Sequence, residues 1–286
     1  MADPLTAQSG RIQILDPTDE RIHAFTGLTD VAMRSVREPA EGIFIAEGVT
    51  VVRRALAAGY RPIAALATEK WLRLLDAEDL LDERLPRFEA DEQVLRSITG
   101  YTVHRGVLVL MARFPDPPVP SLLAGASRLV LLEDLKEHTN VGAIIRCCAA
   151  FGVDAVITSP TCADPLYRRA VKVSMGTVFQ VPWTRAEQWQ ECLDEVESAG
   201  FELAALTPDL EASDLRAWAR TLPPKVALVF GTEGRGLTHD TLRRCHHRVR
   251  IPMSGGVDSL NVAAAAAVAL YALQPPEPDS GVAGEP

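Results

Sequence analysis

The chain is poor in cysteine, in aromatic side chains and in positive charge. Five cysteines among 286 residues are an odd, sparse count. That excludes a disulfide-stapled secreted scaffold and reads as reduced thiols. The longest apolar run, Val262–Leu273, has 12 residues. A bilayer crossing takes about 20, so no transmembrane helix and no membrane partner are expected. The first residues, MADPLTAQSG, have no cationic start and no apolar stretch. They read as no signal peptide, and a cytoplasmic location is expected. Lys and Arg number 29 against 38 Asp and Glu, a net charge of −9. This excludes a grip on nucleic acid by bulk charge and leaves a local basic patch open. Much of the excess acid lies between Asp76 and Glu92 and in the segment after Gln274.

What is present is an ordinary globular balance, 47% hydrophobic and 23% charged. At roughly 150 residues per domain the length suggests about two. The boundary is marked by Pro115–Pro120, PDPPVP, with four prolines in six residues; it reads as a semi-rigid linker. The expected organisation is a first domain over 1–112, a linker over 113–125, a second domain over 126–274 and a disordered tail over 275–286. In the first domain, Ile22, Phe25 and Leu28 have helical spacing, as do Val49, Val52 and Leu56 before Gly59. Residues 42–46, 61–68 and 106–111 read as strands, giving a small α/β sandwich. In the second, strand-like runs are 129–132, 155–158, 178–181, 203–206, 226–230 and 249–251. Helical candidates at 141–151, 166–173, 186–199 and 237–244 alternate with them, and 259–273 closes the domain. Strands apolar on both faces, alternating with helices, predict an α/β fold with a parallel sheet covered on both sides. Such sheets bind ligands outside the carboxyl ends of their strands.

Three motifs follow strands. The first is Asn140–Arg146, NVGAIIR, where Thr139 or Asn140 is placed to cap a helix and Gly142 and Arg146 share a face. A capped helix with a solvated arginine fits that spacing as well. The second is Gly231–Leu237, GTEGRGL, whose glycines permit tight turns and close approach of backbone to a ligand. It is neither a dinucleotide fingerprint nor a phosphate loop. Glu233 there reads either as a ligand acceptor or as a solvated loop carboxylate. The third runs from Ile251 to Tyr271, IPMSGGVDSLNVAAAAAVALY, in which Ser259 is placed to cap an alanine-rich helix. Close packing explains the alanines but not why Ser259 and Asn261 stand together at the helix mouth.

Taken in order, N-x-G-x-x-x-R, F-G-T-E-G-x-G-L and I-P-M-x-G-x-x-x-S-L-N-V resemble the SpoU/TrmH branch of the SPOUT RNA 2′-O-ribose methyltransferases. The resemblance spans 129–273. Phe44–Leu56 and Val103–Arg113 extend it to the family's ribosomal-protein-like substrate-binding module. Two positions depart from the pattern: Thr232 stands where Asn is common, and Ala263 where a small hydroxyl residue is. The resemblance implies a C-terminal trefoil knot, a homodimer and an RNA substrate, rRNA or tRNA. It implies S-adenosylmethionine as cofactor and no metal. The cofactor would be held by Leu206, Thr207, Pro208, Gly231, Thr232, Gly234, Ile251, Pro252, Met253 and Leu260. The catalytic set would be Arg146, Asn140, Ser259, Asn261 and Glu233. An arginine side chain stays protonated at any ordinary pH. Arg146 would therefore steady a developing alkoxide and the adjacent phosphate, while a phosphate or water takes the proton. Asn140 and Ser259 would orient the hydroxyl and RNA backbone, Asn261 would cap and shape the pocket, and Glu233 would hold loop geometry or the Arg146 of a second copy of the chain. The rival reading is a catalytically idle RNA-binding or ribosome-assembly factor that keeps the knot. A nicotinamide enzyme would need a glycine-rich turn after the first strand, where EDLKEHTN has none.

Arg34, Arg37, Arg53, Arg54, Arg168, Arg169 and Lys172 are candidate RNA-backbone contacts, each alternatively a solvated charge. Cys245-His246-His247 lacks a second ligand cluster and is not assigned to a metal. Cys147 and Cys148 read as free thiols. The four tryptophans read as packing residues, and His104 and His138 are left unassigned.

Overall fold

The computed structural model describes residues 10–103 and 106–274; His104 and the segment 275–286 lie outside them. The first module is a five-stranded mixed sheet: β1 (Gly10–Gln13), β2 (Ile43–Glu47), β3 (Pro62–Ala67), β4 (Pro86–Glu89) and β5 (Val107–Ala112), ordered β1-β4-β3-β5-β2. Its helices are α1 (Val31–Ala40), α2 (Val49–Ala57), α3 (Glu69–Ala77) and α4 (Glu92–Thr99). The second module begins with a single helical turn, α5 (Val119–Leu123). Its sheet has seven strands: β6 (Arg128–Leu132), β7 (Ala155–Thr158), β8 (Trp183–Arg185), β9 (Glu202–Leu206), β10 (Ser213–Asp214), β11 (Val226–Phe230) and β12 (His247–Arg250). All its pairings are parallel, in the order β10-β12-β9-β11-β6-β7-β8. The remaining helices are α6 (His138–Ala150), α7 (Arg168–Val173), α8 (Trp189–Ser198), α9 (Leu215–Trp218), α10 (His239–Arg244) and α11 (Val262–Ala272).

The alternation of side chains along a strand sorts the core into layers. Val130, Leu132, Ala204, Leu228 and Phe230 face α6, α7 and α11. Leu129, Leu131, Leu203, Ala205, Ala227 and Val229 face α5, α8 and α10. In the first sheet, Ile45, Leu66, Phe88 and Leu110 pack on Phe25 and Leu95. Its other face, with Phe44, Val109 and Met111, joins the first of these layers in one continuous core. The modules are also tied by buried charge: Glu47 accepts from Arg168 and Lys172, both at 2.7 Å, and Arg113 pairs with Asp164 at 2.6 Å.

Several expectations need correction. The run 178–181 is not a strand. Its first two residues belong to a 3-10 turn, Thr177–Phe179, which follows Gly176 (φ +81°) and is closed by the Gln180 amide donating to the Thr177 carbonyl; the edge strand is β8, beyond Pro182. Strands β1, β4 and β10 had no sequence signal strong enough to read. In the proline-rich segment, Thr184 Oγ1 donates to the Pro117 carbonyl at 2.6 Å, and Leu123 of the following turn is buried. Helix α6 starts earlier than expected, at His138, after Glu137 and without a side-chain cap from Thr139 or Asn140. Helix α11 starts later, at Val262, and its cap is Asn261, not Ser259: Asn261 Oδ1 accepts from the amides of Ala263 and Ala264 at 3.0 and 3.3 Å.

Candidate active site

Strands β9, β11 and β12 are neighbours and all parallel, so their carboxyl ends open at one edge of the sheet. Three segments leave that edge: 206–208 after β9, 231–237 after β11, and 251–261 after β12. Between them lies a cleft of about 520 Å³. Nine of the ten residues expected to hold a cofactor line it; Pro252 does not. Backbone geometry forms the loop after β11. The Thr232 amide donates to the Gly236 carbonyl at 3.1 Å and the Gly236 amide returns to Thr232 at 2.9 Å. Gly236 and Gly234 have φ of +68° and +87°, where only glycine is at ease. A Cβ on Gly231 would stand 2.3 Å from the Gly236 carbonyl carbon and 2.4 Å from the Leu237 nitrogen. Only glycine lets the two limbs of this loop meet.

At the rim, the three sequence motifs touch. Asn140 Nδ2 donates to Glu233 Oε1 at 3.1 Å. Asn261 Nδ2 donates to the same oxygen at 2.7 Å and to Asn140 Oδ1 at 3.0 Å. One asparagine therefore joins all three motifs while its own oxygen caps α11. A smaller cavity of about 170 Å³ lies on the other side of Glu233, lined by Asp134, Lys136, Asn140 and Thr232 among others. Asp134 accepts from the hydroxyls of Ser159 and Thr161, and these outweigh burial to hold its carboxyl below the usual range.

The other two members of the expected catalytic set stand apart from this hydrogen-bonded group. Ser259 lines the cleft but is exposed and makes no hydrogen bond among the described residues. Arg146 is exposed on α6 and is not part of the cleft lining, and its side chain has no hydrogen bond or ion pair among the described residues. Gly142, one turn before it, is buried instead: a Cβ there would meet the Ala170 carbonyl oxygen at 2.4 Å, so it serves the contact of α6 with α7.

The expected RNA contacts mostly have other work. Arg34 is fully buried and pairs with Glu38 at 2.6 Å. Arg168 and Lys172 hold Glu47. Arg54 donates to the Met175 carbonyl at 2.6 Å, Arg37 pairs with Glu41 at 2.7 Å, and Arg53 pairs with Glu78. Arg169 alone of the seven is exposed without such a partner among the described residues. His246 Nδ1 accepts from the Leu203 amide at 3.2 Å, His247 pairs with Glu202 at 2.6 Å, and burial pushes the Cys245 thiol up to about 12. Among the described residues no group of three His, Cys, Asp or Glu is arranged to hold a metal ion.

Two residues absent from the sequence reading belong to this region. Asp258 lines the cleft, and Glu133, at the end of β6, is buried behind the 231–237 loop. Glu133 follows an apolar strand with nothing in its spacing to single it out.

Comparison with known proteins bears on the family and the fold. The SpoU rRNA Methylase family profile matches residues 127–271. An uncharacterised tRNA/rRNA methyltransferase of Mycobacterium tuberculosis is 42% identical over 259 residues, 90% of either chain. The structure resembles that of an AdoMet-bound rRNA methyltransferase from Sinorhizobium meliloti, with a TM-score of 0.78, 24% identity, and 92% and 97% of the two chains covered. It also resembles an RNA 2′-O ribose methyltransferase, with a TM-score of 0.69, 27% identity, and 92% and 97% covered. The three motifs, the sheet edge that brings them together and these matches place the chain in the SpoU rRNA methylase family of RNA methyltransferases.

Proposed function

We propose that this protein transfers the methyl group of S-adenosylmethionine to a ribose 2′-hydroxyl of RNA, rRNA in preference to tRNA. In this reading residues 1–112 hold the RNA, residues 126–274 form the catalytic domain with its trefoil knot, and two chains form a homodimer. The observation that carries it is the meeting of Asn140, Glu233 and Asn261 at the rim of the cleft.

The cleft suits the cofactor. It has apolar walls at Leu206, Ile251 and Leu260 and backbone groups drawn close by Gly231. It also carries two carboxylates, Glu233 and Asp258, and among the described residues no Lys, Arg or His lines it. That balance favours a cation such as a sulfonium. When bound, S-adenosylmethionine supplies an electrophilic methyl group.

The chain's own residues do the rest. The hydroxyl is a poor nucleophile, so positioning and charge stabilisation carry the rate. Asn140 is fixed by Glu233 and Asn261 to orient the hydroxyl, and Ser259 at the cleft mouth holds the RNA backbone. Arg146, a permanent cation, steadies the developing alkoxide and the neighbouring phosphate. As the oxygen–methyl bond forms and the sulfur–methyl bond breaks, the hydroxyl proton passes to a phosphate oxygen or to water. The dimer reading rests on α11, which is apolar all round yet leaves Val268 and Tyr271 43% and 71% exposed. A surface helix of a monomer normally turns a polar face outward. Arg146 stands on the adjoining α6, where a partner subunit would complete its surroundings.

The test is incubation with methyl-labelled S-adenosylmethionine and either rRNA or tRNA, followed by digestion to nucleosides. Labelled 2′-O-methylnucleosides, richer from rRNA, are expected. Label on a base would overturn the ribose assignment, and no label in either RNA would favour the idle-factor reading.

A further inference from the structure

Glu133 is 3% exposed and has no cationic partner among the described residues. A buried carboxylate without a counter-ion is costly unless hydrogen bonds compensate. Here they come from three neutral donors. Glu133 Oε2 accepts from the Thr238 amide at 2.9 Å. Oε1 accepts from the Thr238 hydroxyl at 2.9 Å and from the Thr241 hydroxyl at 2.6 Å. Trp189 Nε1 in turn donates to Thr241 Oγ1 at 3.1 Å.

The placement of these bonds is telling. The Glu133 amide donates to the Phe230 carbonyl at 2.8 Å, immediately before the 231–237 loop begins. Its side chain holds Thr238, immediately after that loop ends. One residue therefore spans the two feet of the loop that carries Glu233. Residue 133 is also the last before the 134–137 segment that leads to α6 and Asn140. The two loops diverge from Glu133 and meet again where Asn140 donates to Glu233.

We infer that Glu133 is a positioning residue for methyl transfer: it sets the span of the 231–237 loop and so the place of Glu233 relative to Asn140 and the cofactor cleft. This rests on the function proposed above. An apolar residue at 133 would fill the space but would leave the Thr238 amide and two hydroxyls without their acceptor and the loop with one foot free. A misplacement of about 1 Å at a reacting site costs on the order of 100-fold in rate.

The experiment compares wild type with Glu133→Ala, Thr238→Val and Thr238→Ser in the full chain. Thr238→Val keeps the amide bond to Glu133 but removes the hydroxyl bond and the cap that Thr238 Oγ1 gives the Thr241 amide at the start of α10; Thr238→Ser keeps all three and is the control. Two readouts are taken well below each variant's melting temperature. The first is amide hydrogen exchange without any ligand. Glu133→Ala and Thr238→Val are expected to speed exchange at Thr232 and Gly236 about 10-fold or more, with β11 unchanged and Thr238→Ser like wild type. The second is steady-state methyl transfer. In Glu133→Ala, kcat is expected to fall about 10- to 100-fold, with KM for RNA within about twofold because Glu133 is buried away from any RNA. Wild-type exchange in the loop, or wild-type kcat in folded Glu133→Ala, would overturn the inference. Faster exchange in the variants of a protein that takes up no S-adenosylmethionine would instead overturn the proposed function and the catalytic part of this inference with it.

Discussion

Gly231→Ala is the substitution whose effect follows most directly from the coordinates. The added Cβ would lie 2.3 Å from one backbone atom of Gly236, 2.5 Å from another and 2.4 Å from the Leu237 nitrogen. These are main-chain atoms held by the Thr232–Gly236 pair of hydrogen bonds, so no side chain can swing aside. Reaching ordinary contact means parting the two limbs by about 1 Å, at a cost of about 1–3 kcal/mol for a strained, close-packed site. Both limbs line the cleft, and Glu233 rides on the loop between them. Cofactor affinity is therefore expected to fall at least about 10-fold, and turnover about 100-fold. Gly200→Ala is the control: its φ is +87° with nothing within 4 Å, so it carries backbone strain alone, far from the cleft. Calorimetric titration with S-adenosylmethionine and a thermal melt of both variants decide the matter. A folded Gly231→Ala protein that binds the cofactor within twofold of wild type would refute the reasoning.

Other expectations follow from the same geometry. Arg146→Ala should cut turnover at least ~100-fold, the usual cost of losing one charge-stabilising donor, while cofactor affinity is retained; near-normal turnover would remove Arg146 from the mechanism. Asn261→Asp keeps the oxygen that caps α11 but turns a 2.7 Å donation to Glu233 into contact between carboxylates. Its melting temperature at pH 7 should stay within a few degrees of wild type while activity drops about 100-fold, and a fully active variant would contradict the hydrogen-bonded rim. Burial pushes the Glu47 carboxyl up, but hydrogen bonds from Lys172 and Arg168 outweigh it and hold it below its ordinary value. A carboxyl held low stabilises the fold above its unfolded value, about pH 4.3, and loses that contribution as the pH falls through the folded one. Glu47→Gln should therefore cost about 3 kcal/mol at pH 7 and progressively less below about pH 4; urea melts showing the same loss at both pH values would be inconsistent with this.

The second module was legible because its central strands, β6, β7 and β11, are buried on both faces and announce themselves as short apolar runs between helices. The same rule misplaced one strand: Val178, Phe179 and Val181 are apolar because they pack on the core, not because they extend a ladder. The cap of α11 was read two residues early, since S-L-N offers two capping side chains and only the start of the helix decides between them, and α6 has no side-chain cap at all. Arginines were the hardest to read. Arg168 looks like a surface charge in sequence, yet its partner Glu47 is 121 positions away, and no spacing rule reaches that far. Glu133 was invisible for the same reason: its meaning lies in Thr238 and Thr241, 105 and 108 residues on. The resemblance led to the expectation that the loops carrying Asn140, Glu233 and Ser259 converge; that Asn261, and not Ser259, bonds to the other two comes only from the folded chain.

The claim at the centre of this account is that the cleft at the ends of β9, β11 and β12 holds the methyl donor. Hydrogen-exchange mapping of the full chain with and without saturating S-adenosylmethionine tests it directly. Protection is expected in 206–208, 231–237 and 251–261 and at the start of α11. Protection confined to another face, such as the cleft between Asp116 and Glu195, or no protection at saturating cofactor, would contradict it.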